Sequence, residues 1–167
     1  MVRALASRHP EASLRAEKGL AALMATIKVG EQRVVLAVPT TFMNESGIAV
    51  RSLLARSGIE DPKRLVVVHD ELDLPVGTFR IKDGGGVAGH RGLESVRSHL
   101  HSADFVRVRV GIGRPPHRQS GADYVLKRPS KLEREKLDAC VAAAADALET
   151  IVLEGVEAAM NRHHGAH

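Results

Sequence analysis

The amino-acid sequence predicts a single α/β domain, and three observations support that prediction. Residues 65–68 form a short apolar, β-branched run, typical of a strand buried on both faces. A second predicted strand at 78–82, a glycine-rich loop and a helix over 90–100 follow it. With 167 residues the chain has the length of one domain and can bury a sizeable core. We therefore expect residues 1–167 to form one domain.

The segments on the N-terminal side of this stretch predict a helix, a hairpin and a second helix. Residues 1–9 form a helical fragment. Residues 20–29 and 33–38 predict the two strands of a hairpin. The second helix is expected to begin at Ser46, whose hydroxyl can cap it, and to end at Gly58.

The segments on the C-terminal side predict one more strand and a long helix. Residues 105–113 alternate apolar and polar side chains, which predicts a strand with one apolar face and with Arg107 and Arg109 together on the other. A capping box that starts at Ser130 predicts the beginning of the last helix. The histidine-rich tail 162–167 is expected to fray.

Composition narrows the class of partner and the compartment. A net charge of +4 and a pI of about 9.6 favour an anionic partner, nucleic acid above all. With only three phenylalanines and one tyrosine, such a partner would be bound through phosphates rather than stacked bases. The single cysteine, Cys140, excludes an intrachain disulfide and is expected to be a small buried hydrophobe. The sequence shows no membrane span and no signal peptide, which predicts a cytoplasmic protein.

The densest chemistry follows the predicted buried strand. Residues 69–73 supply a histidine and three carboxylates where that strand would end, and α/β sheets keep their sites at strand ends. The loop 84–89 carries four glycines, whose lack of side-chain bulk predicts room for a large ligand. The alternatives are a solvated turn and a mobile loop. The spacing of Gly84, Gly86 and Gly89 also matches the GxGxxG pattern of dinucleotide-binding proteins.

Two further groups of residues suit a substrate or a phosphate. Asn44 is either part of the cap of the Ser46 helix or an amide that can donate and accept hydrogen bonds to a peptide or a water. Arg107 and Arg109 are either solvated surface or, with Lys82 and other basic residues nearby in sequence, part of a phosphate-binding stripe.

Five motifs, in order, resemble those of the bacterial peptidyl-tRNA hydrolase family along nearly the whole chain. They are PTTFMNESG, VVVHDELDLPVG, GGGVAGHRGL, VRVGIGRP and EGVEAAMNR. The resemblance implies a single α/β domain with a twisted mixed β-sheet flanked by helices on both sides. It also implies hydrolysis of the ester that joins a nascent peptide to the tRNA 3′ ribose, without a metal or an organic cofactor.

Residue roles are implied by the same resemblance. Asp70 matches the carboxylate that orients the catalytic histidine, and Asn44 matches the asparagine that contacts the peptidyl part and helps position water. Lys82 and Arg109 match the basic pair that clamps a tRNA phosphate. The implied substrate-binding residues are Phe42, Met43, His90 and Arg91.

The chain departs from the family pattern at two positions and at its front. Arg91 stands where the family usually has an asparagine, and Val87 stands where a histidine is common. The family's first strand, its Gly-Leu-Gly-Asn-Pro-Gly loop and the Arg-His-Asn segment with the catalytic histidine match no part of the chain. We expect a reading frame that begins at an internal methionine, in preference to a truncated relative that keeps only the tRNA-binding surface.

The expected function is therefore the recycling of tRNA by hydrolysis of peptidyl-tRNA during translation. The expected partner is peptidyl-tRNA, and we expect a monomer with no membrane association. The alternative is a non-catalytic tRNA- or RNA-binding protein on the same fold, because the segment with the catalytic histidine has no match. A nucleotide-binding module built on the glycine loop is a third interpretation.

Overall fold

The computed structural model of the protein describes residues 1–87, 89–115 and 121–164. These residues form two three-stranded β-sheets and six α-helices, so the predicted α/β class is confirmed. In chain order the elements are α1 Val2–Ser7, β1 Arg15–Ala16, β2 Ala22–Val29, β3 Gln32–Pro39, α2 Ser46–Ser57, β4 Val66–Glu71, β5 Phe79–Asp83, α3 Arg91–Leu100, β6 Val106–Gly111, α4 Gly121–Val125, α5 Lys131–Glu154 and α6 Val156–His164.

The chain divides into two compact units. The hairpin unit comprises residues 2–66 and 83–106. The long-helix unit comprises Met1, residues 67–82 and the described residues from 107 onward. That residues 1–167 act as a single domain stays a prediction. In the part of the chain that the structure describes, no helix is long and apolar enough to cross a membrane.

The predicted hairpin is confirmed as β2 and β3, which pair antiparallel. Val29 pairs with Gln32, so Gly30 and Glu31 form a two-residue turn in which Gly30 has a φ of 56°. A positive φ at the first turn position is what a type II′ hairpin turn requires, and glycine adopts it without a Cβ clash. Strand β1 lies beside β2 and completes the first sheet.

Helices α2 and α3 of the hairpin unit pack against each other at a glycine. A Cβ added at Gly47 would overlap the carbonyl oxygen of Ser95. The Gly47 N–H belongs to the first turn of α2, which lacks intrahelical acceptors, and it donates to Ser95 Oγ at 2.9 Å. The small side chain of residue 47 therefore permits both the close approach and the hydrogen bond.

The two ends of α2 differ in how well the sequence predicted them. The helix ends as predicted at Gly58, which has a φ of 64°. The predicted cap at Ser46 is wrong, because Ser46 already has helical dihedrals and its hydroxyl donates to the Met43 carbonyl oxygen at 2.8 Å. A single 3-10 turn, Met43–Glu45, leads directly into α2, so no extended capping residue precedes the helix.

The second sheet has the strand order β4, β6, β5. Two backbone hydrogen bonds, Val106 N–H to Leu65 and Ile112 N–H to Glu71, keep the same offset along the chain, so β4 and β6 run parallel. The prediction that β4 is buried on both faces and ends before residue 69 is wrong. It runs to Glu71 and is half-buried throughout, because it is an outer strand of this sheet.

Strands β5 and β6 run antiparallel, which makes the second sheet mixed. The Gly84 N–H donates to the Phe105 carbonyl, and the Gly111 N–H donates to the Thr78 carbonyl. As the middle strand, β6 is covered more fully than its alternating sequence predicted. Its second face is not open to solvent along its whole length, because Arg107 is only 3% exposed.

Helix α5 begins at the capping box that the sequence predicted. Ser130 Oγ accepts the Glu133 N–H at 3.3 Å, and the Ser130 N–H donates to Glu133 Oε2 at 2.8 Å. Cys140 lies in the buried stripe of this helix, as predicted, and burial raises the pKa of its thiol.

The expectation of a frayed tail is wrong for residues 162–164, which form the last turn of α6. Arg162 makes a bidentate ion pair with Glu154, in which Nη1 donates to Oε1 at 2.7 Å and Nη2 donates to Oε2 at 2.6 Å. His163 Nε2 lies 3.2 Å from Thr150 Oγ1 on α5. These contacts hold α6 against α5, while residues 165–167 lie outside the described part of the chain.

Candidate active site and nucleic-acid interface

Four cations share one face of the second sheet. The backbone register of β5 and β6 places Arg80 opposite Arg109 and Lys82 opposite Arg107. Directly opposite residues of an antiparallel pair lie on the same face, and residues two apart on one strand do so as well. We call Arg80, Lys82, Arg107 and Arg109 the cation face. The expectation that Arg107 and Arg109 lie together is thereby met, and both Lys82 and Arg80 join them.

The members of the cation face differ in exposure. Lys82 is exposed, Arg80 and Arg109 are half-buried, and Arg107 is buried. Burial lowers the pKa of Arg107 most, the positive charge of Arg109 lowers it further, and Glu71 opposes both effects. Like charges directly opposite each other destabilise a sheet, so this arrangement suits a surface that meets an anion.

Glu71 of β4 is ion-paired with the cation face. Its Oε2 accepts hydrogen bonds from Arg109 Nε at 3.0 Å and Nη2 at 2.9 Å, and its Oε1 accepts the Asp73 N–H at 3.1 Å. Burial alone would raise the pKa of Glu71, but the Asp73 N–H and Arg109 together hold that pKa below its ordinary value. The carboxylate is therefore ionised at neutral pH.

Asp70 lies on β4 between His69 and Glu71. Because successive strand residues alternate, its side chain lies on the opposite face from the cation face. His69 Nδ1 lies 2.7 Å from the Asp70 carbonyl oxygen. A carbonyl only accepts, so Nδ1 carries the proton of this hydrogen bond.

The residues predicted to contact the substrate in the hairpin unit lie around the 3-10 turn Met43–Glu45. Asn44 is exposed, and its side chain makes no hydrogen bond to another described residue. The neighbouring apolar side chains are also exposed, Phe42 by 78% and Met43 by 54%. An open amide beside exposed apolar side chains is typical of a binding surface rather than of a helix cap.

His90 is the N-cap of α3 in the same unit. Its Nδ1 accepts the Leu93 N–H at 3.3 Å, so a neutral His90 carries its ring proton on Nε2. In this state Nε2 is a donor and cannot take a proton from water. While His90 caps the helix, its chemistry is that of a hydrogen-bond donor rather than a general base.

Met43 and His90 meet at the first turn of α3. A Cβ added at Gly92 would lie 2.6 Å from Met43 Sδ and 3.1 Å from His90 Cε1. Arg91 is exposed at the first position of this helix. The structure thus brings together Met43, His90 and the start of α3, and contact of these residues with a substrate stays a prediction.

The predicted site residues belong to both units. Phe42, Met43, Asn44, His90 and Arg91 lie in the hairpin unit, whereas Asp70, Lys82 and Arg109 lie in the long-helix unit. Sequence reasoning missed Arg80, although its alternation with Lys82 along β5 was a usable signal. Among the described residues, no group of three or more histidine, cysteine, aspartate or glutamate side chains is placed to hold a metal ion.

Comparison with solved structures finds close relatives of this fold. The crystal structure of peptidyl-tRNA hydrolase from Acinetobacter baumannii is similar with a TM-score of 0.90 and 29% sequence identity, and the match covers 98% of this chain and 82% of that chain. A crystal structure of a peptidyl-tRNA hydrolase complex with N-propanol is similar with a TM-score of 0.91, at the same identity and coverage.

Curated proteins and a family model give the same result. The peptidyl-tRNA hydrolase of Cutibacterium acnes is 51% identical over 134 residues, which are 80% of this chain and 66% of that protein. The peptidyl-tRNA hydrolase of Leifsonia xyli is 53% identical over 137 residues, which are 82% of this chain and 70% of that protein. The chain spans about two thirds of the length of these relatives. Since the family model described as peptidyl-tRNA hydrolase also matches residues 1–167, the chain belongs to the peptidyl-tRNA hydrolase family.

Proposed function

We propose that this chain hydrolyses the ester between a nascent peptide and the 3′ ribose of its tRNA, as a monomer in the cytoplasm. In this reaction water adds to the ester carbonyl carbon and the bond from that carbon to the ribose oxygen breaks. The peptide leaves with a free carboxylate and the tRNA with a free ribose hydroxyl. The observation that carries the proposal is the cation face, which suits a polyanion such as tRNA and lies in a chain that belongs to the peptidyl-tRNA hydrolase family.

The cation face would bind the phosphate backbone of the tRNA. Lys82 is exposed and offers a mobile ammonium, while Arg109 offers a planar fork that suits two oxygens of one phosphate. Such contacts fix the position of a nucleic acid without reading its bases. This agrees with the scarcity of aromatic side chains in the sequence.

The cluster in the hairpin unit would contact the peptidyl end of the substrate. Phe42 and Met43 supply exposed apolar surface for peptide side chains, and Asn44 supplies an amide for a peptide group or the attacking water. His90 would line the same peptidyl end of the substrate, next to Met43 at the first turn of α3. Arg91 adds a positive charge at the same helix start.

Asp70 would orient a histidine general base, which is the role that the family resemblance gives it. Histidine titrates near pH 6.5 and aspartate near pH 3.9, so an aspartate alone is a weak base for water at neutral pH. The carboxylate would select the histidine tautomer and stabilise the imidazolium that forms. The family's catalytic histidine matches no position among the 167 residues, so Asp70 is proposed here as a partner and not as the base.

Binding is tested by titrating tRNA at several salt concentrations. Replacing Lys82 or Arg109 by alanine should weaken binding and flatten the dependence of log K on log salt by about one unit per lost phosphate contact. Lys28→Ala is the matched control, because Lys28 is an exposed strand lysine in the first sheet. If the salt dependence of both variants equals that of the wild type, the cation face does not contact phosphate.

Turnover is tested with an N-acetylated aminoacyl-tRNA, by release of the acetylated amino acid. In a version of the protein that also carries the family's catalytic-histidine segment, Asn44→Ala and Asp70→Ala should each lower kcat by about 10²-fold and leave tRNA affinity nearly intact. Asn161→Ala, at an exposed asparagine of α6, is the matched control for loss of an amide. Binding of tRNA without release of the amino acid would identify a non-catalytic RNA-binding protein instead. A thermal shift with NAD or ATP would favour the nucleotide-binding interpretation.

A further inference from the structure

We propose that Glu71 is a positioning residue for tRNA binding, because it holds the Arg109 guanidinium in one orientation toward a backbone phosphate. The inference rests on the proposed function, since it requires that Arg109 contacts a phosphate. It assigns a role to a carboxylate on a surface that must otherwise attract anions.

The geometry of the pair leaves one edge of the guanidinium available. Glu71 Oε2 takes the Nε and Nη2 donors, at 3.0 and 2.9 Å, which lie together on one edge of Arg109. A guanidinium has five N–H donors in a fixed plane. The donors that remain are on Nη1 and on the far side of Nη2, and they point away from Glu71. This second edge can bind two oxygens of a phosphate.

Glu71 is itself fixed in place. Its other oxygen, Oε1, accepts the backbone N–H of Asp73 at 3.1 Å. One oxygen is thus tied to the backbone and the other to Arg109. The side chains of Glu71 and Arg109 are only 14% and 26% exposed, so solvent screens their attraction less than it screens that of a surface pair.

Repulsion within the cation face makes such an anchor necessary. Arg109 lies opposite Arg80 and two residues from Arg107, so two neighbouring positive charges would push an unrestrained guanidinium away. Among the described residues of β4, β5 and β6 that share this face, Glu71 is the only carboxylate. Removing it would leave the face more positive but Arg109 less well placed.

This contrast gives a test, because the two explanations predict opposite changes in tRNA affinity for the same substitution. If attraction between charges alone matters, Glu71→Gln removes a negative charge beside a phosphate site and should tighten tRNA binding. If Glu71 positions Arg109, the same change should raise the Kd of tRNA and the KM of peptidyl-tRNA by about 3- to 10-fold, with kcat unchanged.

The matched control is Asp73→Asn. It removes the same charge from the neighbouring Asp73–Arg114 pair, whose side chains are 60% and 77% exposed. That pair is solvated and does not touch Arg109. Asp73→Asn should therefore leave tRNA affinity unchanged or raise it slightly, while Glu71→Gln lowers it.

A second variant distinguishes weaker tRNA binding from impaired folding. Glu71→Asp keeps the charge but withdraws the carboxylate by one methylene, so it should also weaken tRNA binding while the thermal midpoint stays near that of the wild type. In an Arg109→Ala background, Glu71→Gln should weaken tRNA binding no further. That second result separates an effect through Arg109 from a general loss of structure.

The outcomes distinguish this inference from the function on which it rests. If Arg109→Ala leaves the salt dependence of tRNA binding unchanged, the proposed phosphate contact fails. If Arg109→Ala flattens that dependence while Glu71→Gln and Glu71→Asp bind tRNA as tightly as the wild type or more tightly, the positioning role is overturned and the proposed function stands.

Discussion

A single imidazole accepts a backbone N–H on the outer edge of β5 in the long-helix unit. His164 Nε2 accepts the Ile81 N–H at 2.8 Å. The ladder to β6 runs through the residues on either side of Ile81, so the Ile81 N–H points away from β6 and would otherwise be an unpaired edge donor. Burial lowers the pKa of His164, and electrostatic interactions with Arg80 and His163 lower it further. A protonated Nε2 could not accept this hydrogen bond.

The stability of the protein should therefore fall in mild acid. A histidine titrates near pH 6.5 in the unfolded chain, whereas His164 resists protonation in the folded chain. As the pH drops from about 7 to 5, the unfolded state binds the extra proton first, and its free energy falls relative to that of the folded state. The urea midpoint should decrease over this range, and amide exchange at Ile81 should accelerate.

Two variants isolate this effect. His164→Gln should flatten the pH dependence of the urea midpoint, because a glutamine oxygen can accept the Ile81 N–H at any pH. His101→Gln replaces an exposed histidine and should keep the wild-type profile. A wild-type midpoint that stays constant between these pH values would show that the His164 contact carries no stability.

At the scale of elements, the contact between α2 and α3 depends on Gly47. An alanine in place of a helical glycine usually stabilises a helix, by about 1 kcal/mol. Here the added Cβ would meet a backbone carbonyl, which cannot move aside as a flexible side chain can. We expect Gly47→Ala to destabilise the protein by about 1 to 3 kcal/mol in urea unfolding.

The glycine loop offers the matched control for this prediction. A Cβ added at Gly86 would meet no atom of a described residue within 4 Å, and Gly86 does not have a positive φ. Gly86→Ala should leave the urea midpoint nearly unchanged. A gain of stability in Gly47→Ala would mean that the two helices do not approach each other as closely as described.

Elements whose cause is local were predicted from the sequence. The hairpin follows from two alternating segments, and the start of α5 follows from the spacing of Ser130 and Glu133. Elements that depend on partners distant in the chain were not predicted from the sequence. Gly47 looks like an ordinary helix residue until α3 supplies Ser95, which is 48 positions away. The tail looked disordered because its partners, Glu154 and Thr150, cannot be paired with it by pattern alone.

At the scale of the whole molecule, the net charge of +4 favours an anionic partner but does not say where the partner binds. Alternation along β6 was enough to put Arg107 and Arg109 on one face. The register between β5 and β6 was needed to bring Lys82 and Arg80 to them, and a single sequence does not contain that register. Motif resemblance supplied the proposed roles of Asn44 and Asp70, which local pattern left undecided and which stay predictions.

Repulsion among the residues of the cation face should therefore lower the stability of the folded protein, whereas the same positive charges favour tRNA binding. Arg80 lies directly opposite Arg109, and a like-charged pair of this kind costs about 0.2 to 1 kcal/mol. Arg80→Gln should raise the thermal midpoint at low salt and also weaken tRNA binding, with a flatter salt dependence.

The matched control is Arg33→Gln, which relieves the like-charged pair of Arg33 with Lys28 across β2 and β3. It should raise the thermal midpoint to a similar degree without changing tRNA affinity. If Arg80→Gln stabilises the protein and binds tRNA like the wild type, the repulsion at residue 80 is not connected with phosphate binding.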